Sequence, residues 1–444
     1  MNYKILFENI GRPKPMSANA THKLNVFQHA ALSWDRSLPY NASHALHVDL
    51  PLDVSRLEQC MHACLDRYGL LGFWVDEKNG RFRFEGGQKP SLEVLSDPTD
   101  ALTQLRQIFE KELNKPFDRD RVVCPFRFFA FTNGPGFYFG LVYFHVIADA
   151  SSIVYLLNDI VRDYRSAGTQ SLPSGRIYPK VRFGARPLLS GFLNGVKTLA
   201  SDISDIRRSR RAPFNPAAPK KTALLMEKLA VDGSRLAAKS RMLGVTVNDV
   251  FLAALLKSCA GLGVGKNSKR RNRIAVSSIV SMRRDLGLNG GREFGLFLSS
   301  FRVSAESPGA CALSDLAREV GRQTCRIKRG RLYLRNIFET CLGLKLKQFG
   351  SQLQRERFYA KNYPLAAGLT NVDMRALWDD SAGPLPEYWR AVSVSAAVPL
   401  VFSVTTAASA LQISVSFSSQ VYTEAEAREA LRIFSKTVLE FSIS

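Results

Sequence analysis

Short apolar runs that read as strands alternate along this chain with longer segments in which apolar residues return every three or four positions, the spacing of one helix face. Leu46 to Leu50 reads as a strand, and Leu57, Met61, Cys64, Leu65 and Tyr68 share the apolar face of a helix that Asp53 or Ser55 would cap. Phe73 to Val75 and Arg81 to Glu85 flank Lys78-Asn79-Gly80, a hairpin signal. A helix is expected near Asp100 to Asn114, stopped by Lys115-Pro116, then strands at Phe126 to Thr132 and Phe137 to Phe144 around the turn Asn133-Gly134-Pro135-Gly136. The helix after them carries Ile153, Leu156, Leu157, Ile160, Val161 and Tyr164 on one face, with Ser151 or Ser152 as its cap.

Between Ser166 and Lys221 the pattern changes: Pro, Gly and Ser become frequent, and eleven Lys or Arg stand against two acids, Asp202 and Asp205. Within this crossover Leu189, Phe192, Leu193, Val196, Leu199, Ile203 and Ile206 keep helical spacing and run into Arg207, Arg208, Arg210 and Arg211. Such a helix can lie on an anionic membrane, or pack on the body of the protein with its charged end in water; we favour the second. A strand near Ala223 to Leu229 opens the C-terminal half. Its first helix, Asp232 to Leu243, stops at Gly244, and Val245-Thr246-Val247-Asn248-Asp249 caps a longer apolar helix to about Cys259. Ile274 to Ser281 reads as a strand leading into Met282-Arg283-Arg284, Glu293 to Ser300 heads another, and Ser314 to Tyr359 is basic and mostly helical. Leu369 to Val372, Ala391 to Val398, Val401 to Thr406 and Leu411 to Phe417 read as strands, and Thr423 to Phe441 as a closing helix. Both halves mix strands with helices, a layered α/β arrangement.

Composition narrows the class. At 444 residues, with 45% hydrophobic and 23% charged residues, the chain is globular and long enough for two or three domains. No apolar stretch approaches the roughly 18 to 20 residues that span a bilayer, and Met1 to Lys23 lacks the regions of a secretory signal. The expected location is the cytoplasm, with a peripheral membrane contact open through the basic helix. Seven cysteines without C-x-x-C spacing and six histidines assemble no zinc set, so the thiols read as reduced and mostly core. The net charge of +22 concentrates in Arg176 to Lys221, Lys266 to Arg273 and Arg322 to Arg335, a field that attracts polyanions. Coenzyme A, an acidic carrier protein and an anionic membrane face are the candidates; nucleic acid is the weakest, because no helix-turn-helix, zinc-finger, RRM or KH signature is present.

The candidate chemistry lies in Phe144-His145-Val146-Ile147-Ala148-Asp149-Ala150, where an aromatic strand gives way to an amphipathic helix. The spacing places a histidine at a strand end with a carboxylate four positions on. An alcohol is a poor nucleophile near neutral pH, and imidazole is the side chain best matched to accept its proton and later return it to a leaving group. One histidine suffices for such a proton transfer, with no covalent enzyme intermediate, so the lack of a G-x-S-x-G elbow does not count against base catalysis by His145.

Taken in order, Arg67-Tyr68-Gly69-Leu70-Leu71, Leu113-Asn114-Lys115-Pro116-Phe117-Asp118, His145 to Ala150, Gly244 to Asp249, Ser281-Met282-Arg283-Arg284, Gly295 to Ser300 and Thr370-Asn371-Val372 resemble the coenzyme A-dependent acyltransferase superfamily. This superfamily includes chloramphenicol acetyltransferase, the plant BAHD enzymes, alcohol acetyltransferases and peptide-synthetase condensation domains. The resemblance implies two chloramphenicol acetyltransferase-like lobes, each a mixed sheet backed by helices, with a tunnel between them. Residues 1–165 would form the first lobe, 166–221 the basic crossover and 222–444 the second lobe. It implies His145 as general base and Asp149 as a structural carboxylate pairing with Arg283 or, alternatively, Arg284. By matched position it also implies Ser299, Ser300 and Asn371 as oxyanion or substrate contacts.

No tightly bound cofactor is implied; acyl-coenzyme A or an acyl carrier protein would be the donor, and a hydroxyl, or less favourably an amine, the acceptor. Phe144 precedes the histidine where many condensation domains have a second one, which looks closer to the alcohol acyltransferases. Ala150 stands in place of the usual glycine, and the BAHD Asp-Phe-Gly-Trp signature is missing. A non-catalytic, condensation-like module that binds an acyl carrier or an anionic lipid surface is the alternative expectation.

Overall fold

Fourteen strands and nine α-helices carry the fold among the residues that the computed structural model describes, which are 21–96, 100–166, 177–179, 185–262, 270–288, 292–335, 354, 363–407 and 409–443. The first half contains β1 (His22–Lys23), α1 (Val26–Asp35), β2 (Asn41–Val48), α2 (Val54–Tyr68), β3 (Phe73–Asp76), β4 (Arg81–Phe84), β5 (Leu92–Val94), α3 (Ala101–Leu113), β6 (Phe126–Asn133), β7 (Gly136–Phe144) and α4 (Ala150–Arg165). The crossover helix α5 (Ala185–Arg208) is followed by β8 (Thr222–Leu229), α6 (Gly233–Met242), α7 (Val247–Ser258), β9 (Arg273–Ser281), β10 (Leu298–Glu306) and α8 (Leu313–Arg329). The chain closes with β11 (Ala367–Asp373), β12 (Tyr388–Val392), β13 (Leu400–Thr406), β14 (Leu411–Ser418) and α9 (Glu424–Ile443). Of the helical reading of residues 314–359, α8 is present; residues 336–353 and 355–359 lie outside the described residues.

Three sheets result. The first runs β12-β2-β7-β6-β5, the second β10-β9-β11-β13-β14-β8, and β1-β4-β3 is a small third. Both large sheets are mixed: β5 runs parallel to β6, and β11 runs parallel to both β9 and β13. This is the mixed α/β architecture expected. Among the described residues no single helix is long and apolar enough to cross a membrane.

The central strand β7 explains its own composition. Every residue from Gly136 to Phe144 is buried. Phe137, Phe139, Leu141 and Tyr143 point into a core shared with α2 and α4, while Tyr138 and Val142 enter a second core with Phe109 of α3 and Trp389. A strand covered on both faces reads as a continuous apolar run. In the second sheet α7 plays the corresponding part, with Val250 to Leu256 all essentially inaccessible between the strands and α9.

Three differences from the sequence reading have clear causes. Strand β2 begins at Asn41, not Leu46, because its polar residues are buried with partners: Asn41 Nδ2 donates to Lys115 O at 2.8 Å, and His44 Nδ1 lies 2.7 Å from Tyr388 Oη. The strand expected at Ala391 to Val398 is instead Tyr388–Val392; Ser395 and Val398 exchange backbone hydrogen bonds and turn the chain ahead of Pro399. Helix α1 has no strong apolar period, and it is set by a capping box in which Asn25 accepts from Gln28 N and Gln28 Oε1 accepts from Asn25 N. Strand β12 leaves the second half of the chain to pair with β2 in the first sheet, Arg390 opposite His44.

Close packing on both faces of β7 is testable at Gly140. A Cβ there would lie 2.3 Å from Phe129 Cζ and 2.8 Å from the His44 carbonyl, so backbone must shift. Gly140→Ala is expected to cost about 1–3 kcal/mol, read as a lowered denaturant midpoint at unchanged m-value.

Candidate active site

Strand β7 ends at Phe144, and His145 N donates to Tyr40 O at 3.2 Å, the last cross-strand bond before the chain turns. Three successive carbonyls in the turn each meet a donor from a different place. Val146 O accepts from Gln28 Nε2 at 3.1 Å, Ile147 O from Tyr178 Oη at 2.7 Å, and Ala148 O from His145 Nδ1 at 2.9 Å. Buried backbone acceptors require such partners, and here they fix the turn that presents His145. Helix α4 follows, capped by neither Ser151 nor Ser152. The cap is Asp149, whose Oδ1 accepts from Ser152 N at 3.0 Å, because a carboxylate at this position also neutralises the positive helix end.

Asp149 has further partners. Arg283 Nη1 and Nη2 lie 2.8 and 2.9 Å from its two oxygens, and Phe297 N donates to Oδ2 at 3.1 Å. Asp149 N in turn donates to Gly295 O at 3.0 Å. Arg283 Nη2 also reaches Ser152 Oγ at 3.0 Å and Glu293 O at 3.2 Å, and the guanidinium sits over the Phe297 ring. The partner of Asp149 is therefore Arg283, not Arg284. The bidentate pair joins α4 to the chain segment ahead of β10, with 1% of the carboxylate side chain and 13% of the arginine exposed.

The ring of His145 stacks parallel on Tyr40, centroids 5.2 Å apart and planes 8° apart, and meets Tyr143 edge-on at 5.5 Å. A carbonyl only accepts, so Nδ1 carries the hydrogen and Nε2 the lone pair of the neutral ring. Burial holds His145 below the ordinary histidine pKa; the Ala148 carbonyl and the Asp149 charge push the other way and do not prevail.

The ring borders a cavity of about 1400 Å³ between the two large sheets. Near α1 its wall is apolar, with Phe27, Ala30 and Trp34. Elsewhere it is lined by ion pairs, Asp205 with Arg273 and Arg302, and Asp202 with Arg335 at 2.6 Å. Asp202 and Asp205 lie in the last turns of α5, which is thus held to the body of the protein at this end.

No family model and no curated sequence matches the chain. Solved structures do. The trichothecene 15-O-acetyltransferase TRI3 of Fusarium sporotrichioides superposes with a TM-score of 0.68 at 14% identity, covering 97% of this chain and 98% of that one. The EpoB cyclization-docking bidomain of Sorangium cellulosum gives 0.68 at 13%, covering 97% and 87%. The first condensation domain of the calcium-dependent antibiotic synthetase gives 0.63 at 12%, covering 96% and 97%. This chain has the condensation-domain fold. At these identities the likeness is one of fold.

Within the condensation-domain fold the other residues picked out from the sequence are placed unequally. Ser299 and Ser300, on β10, both border the cavity, but Ser299 is 2% exposed and its hydroxyl donates to Tyr333 O at 2.8 Å. Asn371 does not line the cavity. On β11 its neighbour Thr370 does, and with side chains alternating across a strand Asn371 lies on the other face, 3.5 Å from Thr406 Oγ1. Sequence reasoning passed over His44 and Arg390, which the pairing of β12 with β2 brings together at the cavity, and the fully buried Tyr388 that holds His44. Short polar residues in a strand-like run were the only signal.

The Asp149–Arg283 pair makes a stability prediction. Asp149→Ala leaves a mostly buried guanidinium without its counter-charge and should cost about 3–5 kcal/mol. Adding Arg283→Met should recover part of that loss, because it removes the orphaned cation. Chemical denaturation of both single variants and the double variant checks the coupling.

Proposed function

We propose that the protein is a transferase that moves an acyl group from a thioester, acyl-coenzyme A or an acyl carrier protein, to a hydroxyl, less favourably an amine, with His145 as general base. The observation that carries this reading is a neutral imidazole with its tautomer set by Ala148 O, so that Nε2 is the basic nitrogen of a ring bordering a cavity large enough for two substrates. The hydroxyl gives its proton to Nε2 as its oxygen attacks the thioester carbonyl. A C–O bond forms, the C–S bond breaks, and the proton passes from the imidazolium to the leaving thiolate. Asp149 takes no part in proton transfer in this scheme, since its oxygens are occupied by Arg283, Phe297 N and Ser152. An acetyltransferase and condensation domains share the fold, which supports an acyl-transfer reaction. The net charge of +22 suits an anionic donor.

A non-catalytic binding module is not favoured. It drew on Ala150 in place of glycine and on the charged crossover; Ala150 is the first residue of α4, without a positive φ, where a methyl group is accommodated, and the end of the crossover helix is held to the body of the protein through Asp202 and Asp205.

The test is thiol release from acyl-coenzyme A and acyl carrier donors in the presence of alcohols and amines. His145→Ala should lower acceptor-dependent release by about two to four powers of ten while leaving the fold intact. Equal release by the variant would overturn the assignment. The pH profile adds a sign. Because burial disfavours the imidazolium, the base form persists below the ordinary value of 6.5, so the midpoint of the acid limb of kcat/KM should lie below pH 6.5.

A further inference from the structure

Arg390 is the most buried arginine among the described residues, 4% exposed, and it lines the cavity. Every acceptor it meets is neutral. Nε donates to Thr405 Oγ1 at 3.1 Å, and Nη2 to Val404 O at 2.8 Å and Thr370 O at 3.2 Å, while Nη1 has only a 3.5 Å approach to Thr370 Oγ1. No described carboxylate pairs with it. Other arginines in the interior behave differently: Arg283 pairs with Asp149, Arg67 with Asp163, and Arg292 with Asp159. The groups whose charges bear on Arg390 are the phenols Tyr388 and Tyr143, and its own field bears on the imidazoles of His44 and His145. All four groups are neutral near pH 7. Burial brings Arg390 down to about 10, which still leaves it charged there. A guanidinium removed from water without a counter-charge is costly, and one with an underused nitrogen at a cavity wall is placed to receive an anion.

We propose that the cavity takes a substrate bearing a carboxylate and that Arg390 receives it. The sheet sets where that carboxylate sits relative to the chemistry. Arg390 lies opposite His44 across the β12–β2 pair, and the next row on that face holds Val392, Ala42 and Tyr143. Tyr40 and His145 come one step further on. Rows on one face are spaced by about 7 Å along the strands, so the carboxylate binds several bonds away from the reacting atom, not beside it. Planar guanidinium recognises carboxylate through parallel hydrogen bonds, and His44 borders the same cavity. The inference rests on the acyltransferase reading only for what the bound molecule does next. The carboxylate could belong to the acceptor, as in a hydroxy acid, or to the acyl group of the donor, as in the half-thioester of a dicarboxylic acid.

Binding without turnover separates this inference from the catalytic one. Titration calorimetry would use His145→Ala protein with two matched panels: straight-chain ω-hydroxy carboxylates against their amides, and ω-carboxyacyl-coenzyme A thioesters against alkanoyl ones. One panel should show a carboxylate preference of about tenfold or more, the scale of a charge-assisted hydrogen bond, and which panel shows it identifies the source. Adding Arg390→Gln should remove the preference while uncharged analogues bind within about twofold of before, a split that a purely structural role would not produce. If Arg390→Gln does not fold, Arg390→Lys serves, with the preference expected to fall about fivefold or more. Equal binding of charged and uncharged members in both panels, or a preference that survives the substitution unchanged, would overturn the proposal. Loss of acyl transfer in every assay, with the carboxylate preference intact, would overturn the catalytic reading alone.

Discussion

The carboxylate of Asp149 is the constraint on which the geometry of the site depends. It closes the N-terminus of α4, pairs with both terminal nitrogens of Arg283, and accepts the backbone N–H of Phe297. An ionised carboxylate with 1% of its side chain exposed is tolerable only because each lone pair meets a donor, and two of those donors carry charge. Its position in the chain ties this demand to His145. The four residues between Phe144, where β7 ends, and Asp149 have little room to adjust once Asp149 is held from both sides, and the carbonyls of Val146, Ile147 and Ala148 are each satisfied in this conformation. The hydrogen bond that sets the tautomer of His145 is one of those three.

The same contacts join the two halves of the chain. Arg283 and Phe297 come from the flanks of β9 and β10, so fixing Asp149 also fixes the edge of the second sheet against α4. Strand β12 extends the first sheet from the C-terminal half, and Arg390 on it reaches Thr370 of β11 and Val404 and Thr405 of β13. On the opposite side Asn114 exchanges hydrogen bonds of 2.8 Å in both directions with the backbone of Thr222, at the start of β8. A cavity between two sheets keeps its shape only if the sheets keep their register, and orienting two substrates demands that it do so.

What was legible in the sequence follows from how local each feature is. The helices α2, α3, α4, α6, α7 and α9 and the strands β6, β7, β8, β9, β13 and β14 carry their own period or turn signals, and they fall within a few residues of the reading. The pairing of Asp149 with Arg283 was accessible because both lie in short motifs. Strand β2 was cut short because Asn41, Ser43 and His44 do not look like core; they are buried by partners far away in the chain. Ser299 and Asn371 show the limit of matching by position: which face of a strand a residue occupies, and whether its hydroxyl is already committed, depends on Tyr333 and Thr406. Arg390 was invisible for the same reason. Nothing near it in sequence says that β12 joins the other sheet.

Arg283 and Arg390 show two ways of burying a guanidinium, and the contrast separates support from recognition. Around Arg283 the charge is neutralised within the protein, by the carboxylate that also caps α4. Among the described residues Arg390 donates only to carbonyls and hydroxyls, which satisfy hydrogen-bond geometry on one side of the group and leave its charge uncompensated. Its field reaches His44 and His145, opposing protonation of both rings. An anion seated on Arg390 would weaken that opposition, so the basicity of the imidazole at the cavity wall is coupled to what the cavity contains. The ionisable groups of the site thus form one electrostatic unit, in which the Asp149–Arg283 pair is the closed part and Arg390 the open one.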